Sequence, residues 1–118
     1  VAVEGDGTSA RDLAANAAAS VHPFAAHHLS VETFLAASRA LPPGPVLVDP
    51  PRTGLSRAAA AGLLRHAPPQ IVYVSCDVAT LARDVKVLRE AGYRLTHVEA
   101  FDLFPVTAHV ENVAVLER

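Results

Sequence analysis

The chain has 118 residues, enough for one domain or part of one. Hydrophobic residues make up 51% and supply a core, while a net charge of −2 leaves no basic footprint for nucleic acid, so any RNA partner needs its phosphates held by a local patch or by other parts of the protein. A single cysteine excludes an internal disulfide and any multi-cysteine metal site, so neither a disulfide partner nor a metal is expected, and it is compatible with a cytoplasmic setting.

The longest apolar runs are broken by charges or prolines well short of the ~20 residues that span a bilayer, so no membrane segment is expected. Val1-Ala2-Val3-Glu4-Gly5-Asp6 has no basic region and no cleavage pattern, which argues against a signal peptide. There is no methionine, and the first residues read as the last part of a strand. The expectation is a single, N-terminally truncated domain covering residues 1–118.

In chain order, Val1 to Val3 reads as a strand end. Thr8 or Ser9 is expected to cap a helix through Arg11–Ala17, rich in alanine and leucine. His22-Pro23 stops it, because the residue before proline avoids the helical region. Phe24 to Leu29 reads as a short strand, and Ser30 as the cap of a helix through Ala37, with Thr33 where a capping box has Glu. Pro42-Pro43-Gly44-Pro45 is a turn, and Pro45 to Val48 a strand.

Ser56 then caps a helix through Arg65, and Pro68-Pro69 breaks it before a strand from Ile71 to Val74. Thr80 to Ala91 is amphipathic, with Leu81, Val85 and Leu88 on one face, and Gly92 terminates it. Arg94 to Ala100 and Val110 to Leu116 alternate as strands. Strands alternating with helices predict an α/β fold with a mostly parallel sheet. The closing pair has no helix between its strands, so the last strand is expected to be antiparallel.

Chemistry-bearing residues cluster where strands end. Such folds bind ligands along the carboxyl edge of the sheet. Cys76 follows the β-branched and aromatic run Ile71-Val72-Tyr73-Val74, and Val46-Leu47-Val48 runs into Asp49-Pro50-Pro51-Arg52. Two prolines fix the backbone there and remove two donors. Glu4 ends the first strand, where an acid in doubly wound folds commonly bonds ribose hydroxyls. The connection from Phe101 to Glu111 is rich in Phe, Pro, His and acids, and loops of that kind carry function. Each residue alone also has a plain reading: a buried cysteine, a loop acid, a turn with a surface arginine.

Together, Asp49-Pro50-Pro51-Arg52-Thr53-Gly54-Leu55, the block from Tyr73 to Asp84 containing Ser75-Cys76-Asp77, and Phe104-Pro105-Val106-Thr107-Ala108-His109-Val110-Glu111 resemble the S-adenosylmethionine-dependent RNA uracil-5-methyltransferases. These enzymes make 5-methyluridine in tRNA and 23S rRNA. The chain is similar to the C-terminal part of their catalytic domain, over essentially its whole length. The resemblance implies a Rossmann-like class I methyltransferase sheet, here expected to lack its first strand and glycine-rich loop. It departs from the family pattern at Asp77, usually asparagine, at Val78, usually proline, and at Val106, usually histidine.

The resemblance implies that Cys76 is the nucleophile adding to carbon 6 of uracil and Glu111 the base removing the carbon-5 proton. It assigns Glu4, Ser30 and Asp49 to S-adenosylmethionine. It gives Arg52, Ser75, Phe104 and His109 supporting or substrate roles, with RNA as the partner. A thiol hydrolase pairing Cys76 with His109 is a rival, but leaves the Asp49 block without work. Amino-methyltransferases with a similar Pro-Pro motif need neither Cys76 nor Glu111. A third alternative is an inactive or fragmentary remnant of the fold that does not catalyse on its own.

Overall fold

The structure is a computed structural model that describes residues 1–103, 105–107 and 110–118. The elements are β1 (Ala2–Glu4), α1 (Gly7–Ala19), β2 (Ala26–His28), α2 (Val31–Ala37), β3 (Val46–Val48), α3 (Arg57–His66), β4 (Gln70–Ser75), α4 (Val78–Glu90), β5 (Arg94–Phe101) and β6 (Glu111–Glu117). This is the alternation read from the sequence. The chain divides into two compact units, Val1–Pro42 and Pro43–Arg118.

In the first unit β1 pairs in parallel with β2, Glu4 standing opposite His28. The cap of α1 differs from expectation. Asp6 holds the N-cap, and the amides of Thr8 and Ser9 both donate to its carboxylate at 2.9 Å. A carboxylate satisfies two orphan helix amides at once and favours the positive end of the helix dipole, so it displaces a hydroxyl from that position. Ser30 caps α2 as expected, accepting from the Thr33 amide at 3.2 Å and donating to the Thr33 hydroxyl at 2.9 Å.

The second unit is built on a four-stranded sheet in the order β3-β4-β6-β5. β3 and β4 are parallel, and β6 runs antiparallel to both β4 and β5. The last strand thus inserts between the two before it. The largest fully buried side chains, Leu63, Ile71, Tyr73, Leu88 and Leu116, form its core. Along β4 and β6 alternate positions are buried: Ile71, Tyr73 and Ser75 on one strand face Leu116, Ala114 and Asn112 on the other. α4 starts two residues earlier than the hydrophobic periodicity indicates, because Asp77 caps it. Among the described residues no helix is long and apolar enough to cross a membrane.

Candidate active site

At the end of β4 the chain leaves the sheet at Ser75 and enters α4 at Val78, so Cys76 and Asp77 form the turn between them. Ser75 braces that turn. Its hydroxyl accepts from the Asp77 amide at 3.1 Å and donates to the Asp77 carbonyl at 3.0 Å, bracketing Cys76. The Asp77 carboxylate accepts from the Thr80 amide at 2.8 Å. Those helix-end bonds, and secondarily the charge of Arg52, hold the Asp77 carboxyl below the usual carboxylate range. Cys76 is a free, half-buried thiol.

β6 starts beside that turn. The ladder between β4 and β6 closes on the pair Ser75 and Asn112. Cys76 follows Ser75 directly as the chain leaves β4, and Glu111 precedes Asn112 directly as the first residue of β6. Glu111 is half-buried, and its backbone is still held in the sheet opposite Phe101 of β5. The nucleophile and base named by the resemblance thus belong to one end of one sheet, Cys76 in the turn that leaves β4 and Glu111 at the start of the adjacent antiparallel β6.

β3 and β4 are parallel, with Val48 opposite Tyr73, so exposed Asp49 leaves the sheet at the same end. The loop it opens is tied down by α4. Gly54 donates to the Pro51 carbonyl at 2.7 Å, closing a turn, and Leu55 donates its amide to Asp84 at 2.8 Å. The Tyr73 hydroxyl donates to the same Asp84 oxygen at 2.6 Å. Arg83 donates to the other Asp84 oxygen at 2.7 Å and to the Thr53 carbonyl at 2.9 Å. Burial, and then the Asp84 carboxylate, push the Tyr73 phenol far above its ordinary range.

Asp84 was not singled out in the sequence, although a signal was there. It falls on the apolar face of α4 with Leu81, Val85 and Leu88, where an unpartnered carboxylate is untenable. Asn112 left no such trace. Its carboxamide donates to the carbonyls of Ser75 at 3.2 Å and Val110 at 2.9 Å.

In the first unit Glu4 and Ser30 lie at the carboxyl ends of neighbouring strands, the Leu29 amide bonding the Glu4 carbonyl at 3.1 Å. One Glu4 carboxylate oxygen accepts from the Asp6 amide at 2.7 Å, which aims the group over the loop after β1. The Ser30 hydroxyl proton is committed to Thr33. Arg52 is exposed, and its charge reaches Asp77. Phe104 and His109 lie outside the described residues. Val106, between them, has φ of 72° and is fully exposed.

A family model described as tRNA (Uracil-5-)-methyltransferase matches residues 37–118. An uncharacterized RNA methyltransferase of Caldanaerobacter subterraneus is 49% identical over 73 residues, covering 62% of this chain and 16% of that protein. One of Streptococcus mutans is 48% identical over 80 residues, covering 68% and 18%. Among solved structures, the tRNA (uracil-54, C5)-methyltransferase of Pyrococcus abyssi, in complex with S-adenosyl-L-homocysteine, superposes with a TM-score of 0.80 at 35% identity. That match covers 97% of this chain and 27% of the Pyrococcus one. The chain thus spans about a fifth of the length of the curated relatives it matches, or less. With the family model extending from the Asp49 loop through Cys76 to Glu111, the chain belongs to the tRNA (uracil-5-)-methyltransferase family.

Proposed function

We propose that this chain is the C-terminal part of the catalytic domain of an enzyme that methylates carbon 5 of a uridine in RNA. The observation that supports the reading is the last pair of the β4–β6 ladder, Ser75 with Asn112, whose two members directly adjoin Cys76 and Glu111 in the chain. The Cys76 thiolate adds to carbon 6 of the uracil ring, and the electron pair of the 5,6 double bond becomes an enolate with carbon 5 nucleophilic. S-adenosylmethionine, when bound, supplies the electrophilic methyl group and leaves as S-adenosylhomocysteine. Glu111 then takes the carbon-5 proton. The returning electron pair restores the double bond and expels the Cys76 thiolate.

Reaching carbon 6 requires the base to be unstacked or flipped, at a cost of a few kcal/mol. The residues present suit a nucleoside cofactor. Glu4 is a carboxylate at a strand end, the kind of acceptor that takes ribose hydroxyls. Asp49 is an exposed acid at the carboxyl edge of the sheet that carries Cys76. Ser30 is the weaker candidate, because its hydroxyl is already the cap of α2. Arg52 would support the enolate or the loop, and Phe104 and His109 keep the substrate or supporting roles that the resemblance gives them.

RNA carrying 5-fluorouridine tests the chemistry in the full enzyme. Fluorine cannot leave as a proton, so a covalent adduct accumulates. Cys76→Ser abolishes the adduct. Glu111→Gln retains it on fluorinated RNA and lowers turnover on natural RNA about 10²–10⁴-fold. An adduct that survives Cys76→Ser refutes the assignment. Calorimetric titration of S-adenosylhomocysteine into the isolated chain separates a self-sufficient cofactor site from a piece of fold that does not act alone. Absence of heat at millimolar ligand establishes the latter.

A further inference from the structure

We infer that Asn112 is a positioning residue that sets the relative placement of Cys76 and Glu111; the inference rests on the reaction proposed above. The carboxamide nitrogen of an asparagine carries two protons. In this chain one goes to the Ser75 carbonyl and the other to the Val110 carbonyl. Those carbonyls belong to the peptide units that lead directly into Cys76 and into Glu111. One side-chain group therefore grips both strand ends at the point where the backbone ladder between β4 and β6 stops.

The surroundings make the grip stiff. Asn112 is 7% exposed and Ser75 5% exposed, so the bonds are shielded from competing water. The Ser75 hydroxyl holds the other side of Cys76 through both polar groups of the Asp77 backbone. Cys76 is thus fixed from before by Asn112 and from behind by Ser75. Addition at carbon 6 and proton removal at carbon 5 take place on adjacent ring atoms. The two side chains must therefore hold one fixed spacing through the cycle, and a displacement of about 1 Å can cost about 100-fold in rate.

The test uses the full enzyme with Asn112→Ala, Asn112→Ser and Asn112→Asp. Aspartate keeps the shape but presents acceptors to two carbonyls. All three are expected to lower kcat by about 10-fold to 100-fold. KM for RNA and for S-adenosylmethionine should stay within about threefold. Adduct formation on 5-fluorouridine RNA should slow in step with kcat. Serine, which keeps one donor, should be the mildest. Hydrogen exchange should quicken together at the amides around Cys76 and around Glu111.

Wild-type kcat in folded Ala and Asp variants overturns the proposal. So does a loss of activity that follows only the folded fraction and disappears on cooling. If alanine prevents folding, serine decides by the same criteria. A wild-type enzyme that forms no Cys76 adduct would instead sink the reaction itself, whereas the exchange experiment still reports whether Asn112 couples the two strand ends.

Discussion

At the residue scale, the candidate site rests on a few buried polar groups whose partners are far away in sequence. Asp84 is 5% exposed and gathers Tyr73, Leu55 and Arg83, so it joins the loop after β3 to the helix after Cys76. Gly54 makes that junction possible. Its φ is 76°, and a Cβ there would run into Asp84, Thr80 and Arg83. Gly54→Ala is therefore expected to destabilise by about 2–4 kcal/mol, combining left-handed backbone strain with overpacking. Urea denaturation of the purified chain measures it.

Tyr73→Phe removes one donor from a buried carboxylate and should cost about 1–3 kcal/mol. It should also alter the alkaline limb. The Tyr73 phenol is raised above its ordinary value of about 10, so its contribution is complete below about pH 10 and is lost as pH rises through the higher folded value. Stability of the phenylalanine variant, followed by melting temperature above pH 10, should fall less steeply than that of the wild type.

At the element scale, α4 matters because its start sets the Cys76 turn. Asp77 replaces the asparagine usual in the family, yet both are good N-caps, so Asp77→Asn should leave neutral-pH stability nearly unchanged. The carboxyl of Asp77 is held low chiefly by the Thr80 amide, so its contribution is present above about pH 3.8 and lost as pH falls through the lower folded value. Asp77→Asn should flatten that acid limb of the melting curve, while Asp77→Ala should lower the midpoint at every pH. A flat wild-type acid limb would show that the cap is not ionic. Sequence patterns named the caps of α2 and α3, Ser30 and Ser56, and placed the start of α4 two residues late without naming its cap. They misassigned α1 because Thr8, Ser9 and Asp6 are all capping residue types, and only geometry selects among them.

At the scale of the whole molecule, a net charge of −2 gives little attraction for phosphate. The isolated chain is therefore expected to bind tRNA more weakly than about 10⁻⁴ M at physiological salt, with a shallow salt dependence. Fluorescence anisotropy checks this, and micromolar binding would place an RNA surface within these residues.

The alternation of strands and helices, the capping serines Ser30 and Ser56, and the Cys76, Glu111 and Asp49 blocks were legible in the linear chain. Each depends on local propensity, short-range spacing or motif order. Tertiary structure alone decided that β6 enters between β4 and β5, that Asp84 binds the Asp49 loop to α4, and that Asn112 spans the strand ends carrying Cys76 and Glu111. Those are pairings between residues as many as 47 positions apart. Strand register and the partner of a buried polar group are settled by which distant groups must satisfy one another once water is excluded, and no local pattern encodes that choice.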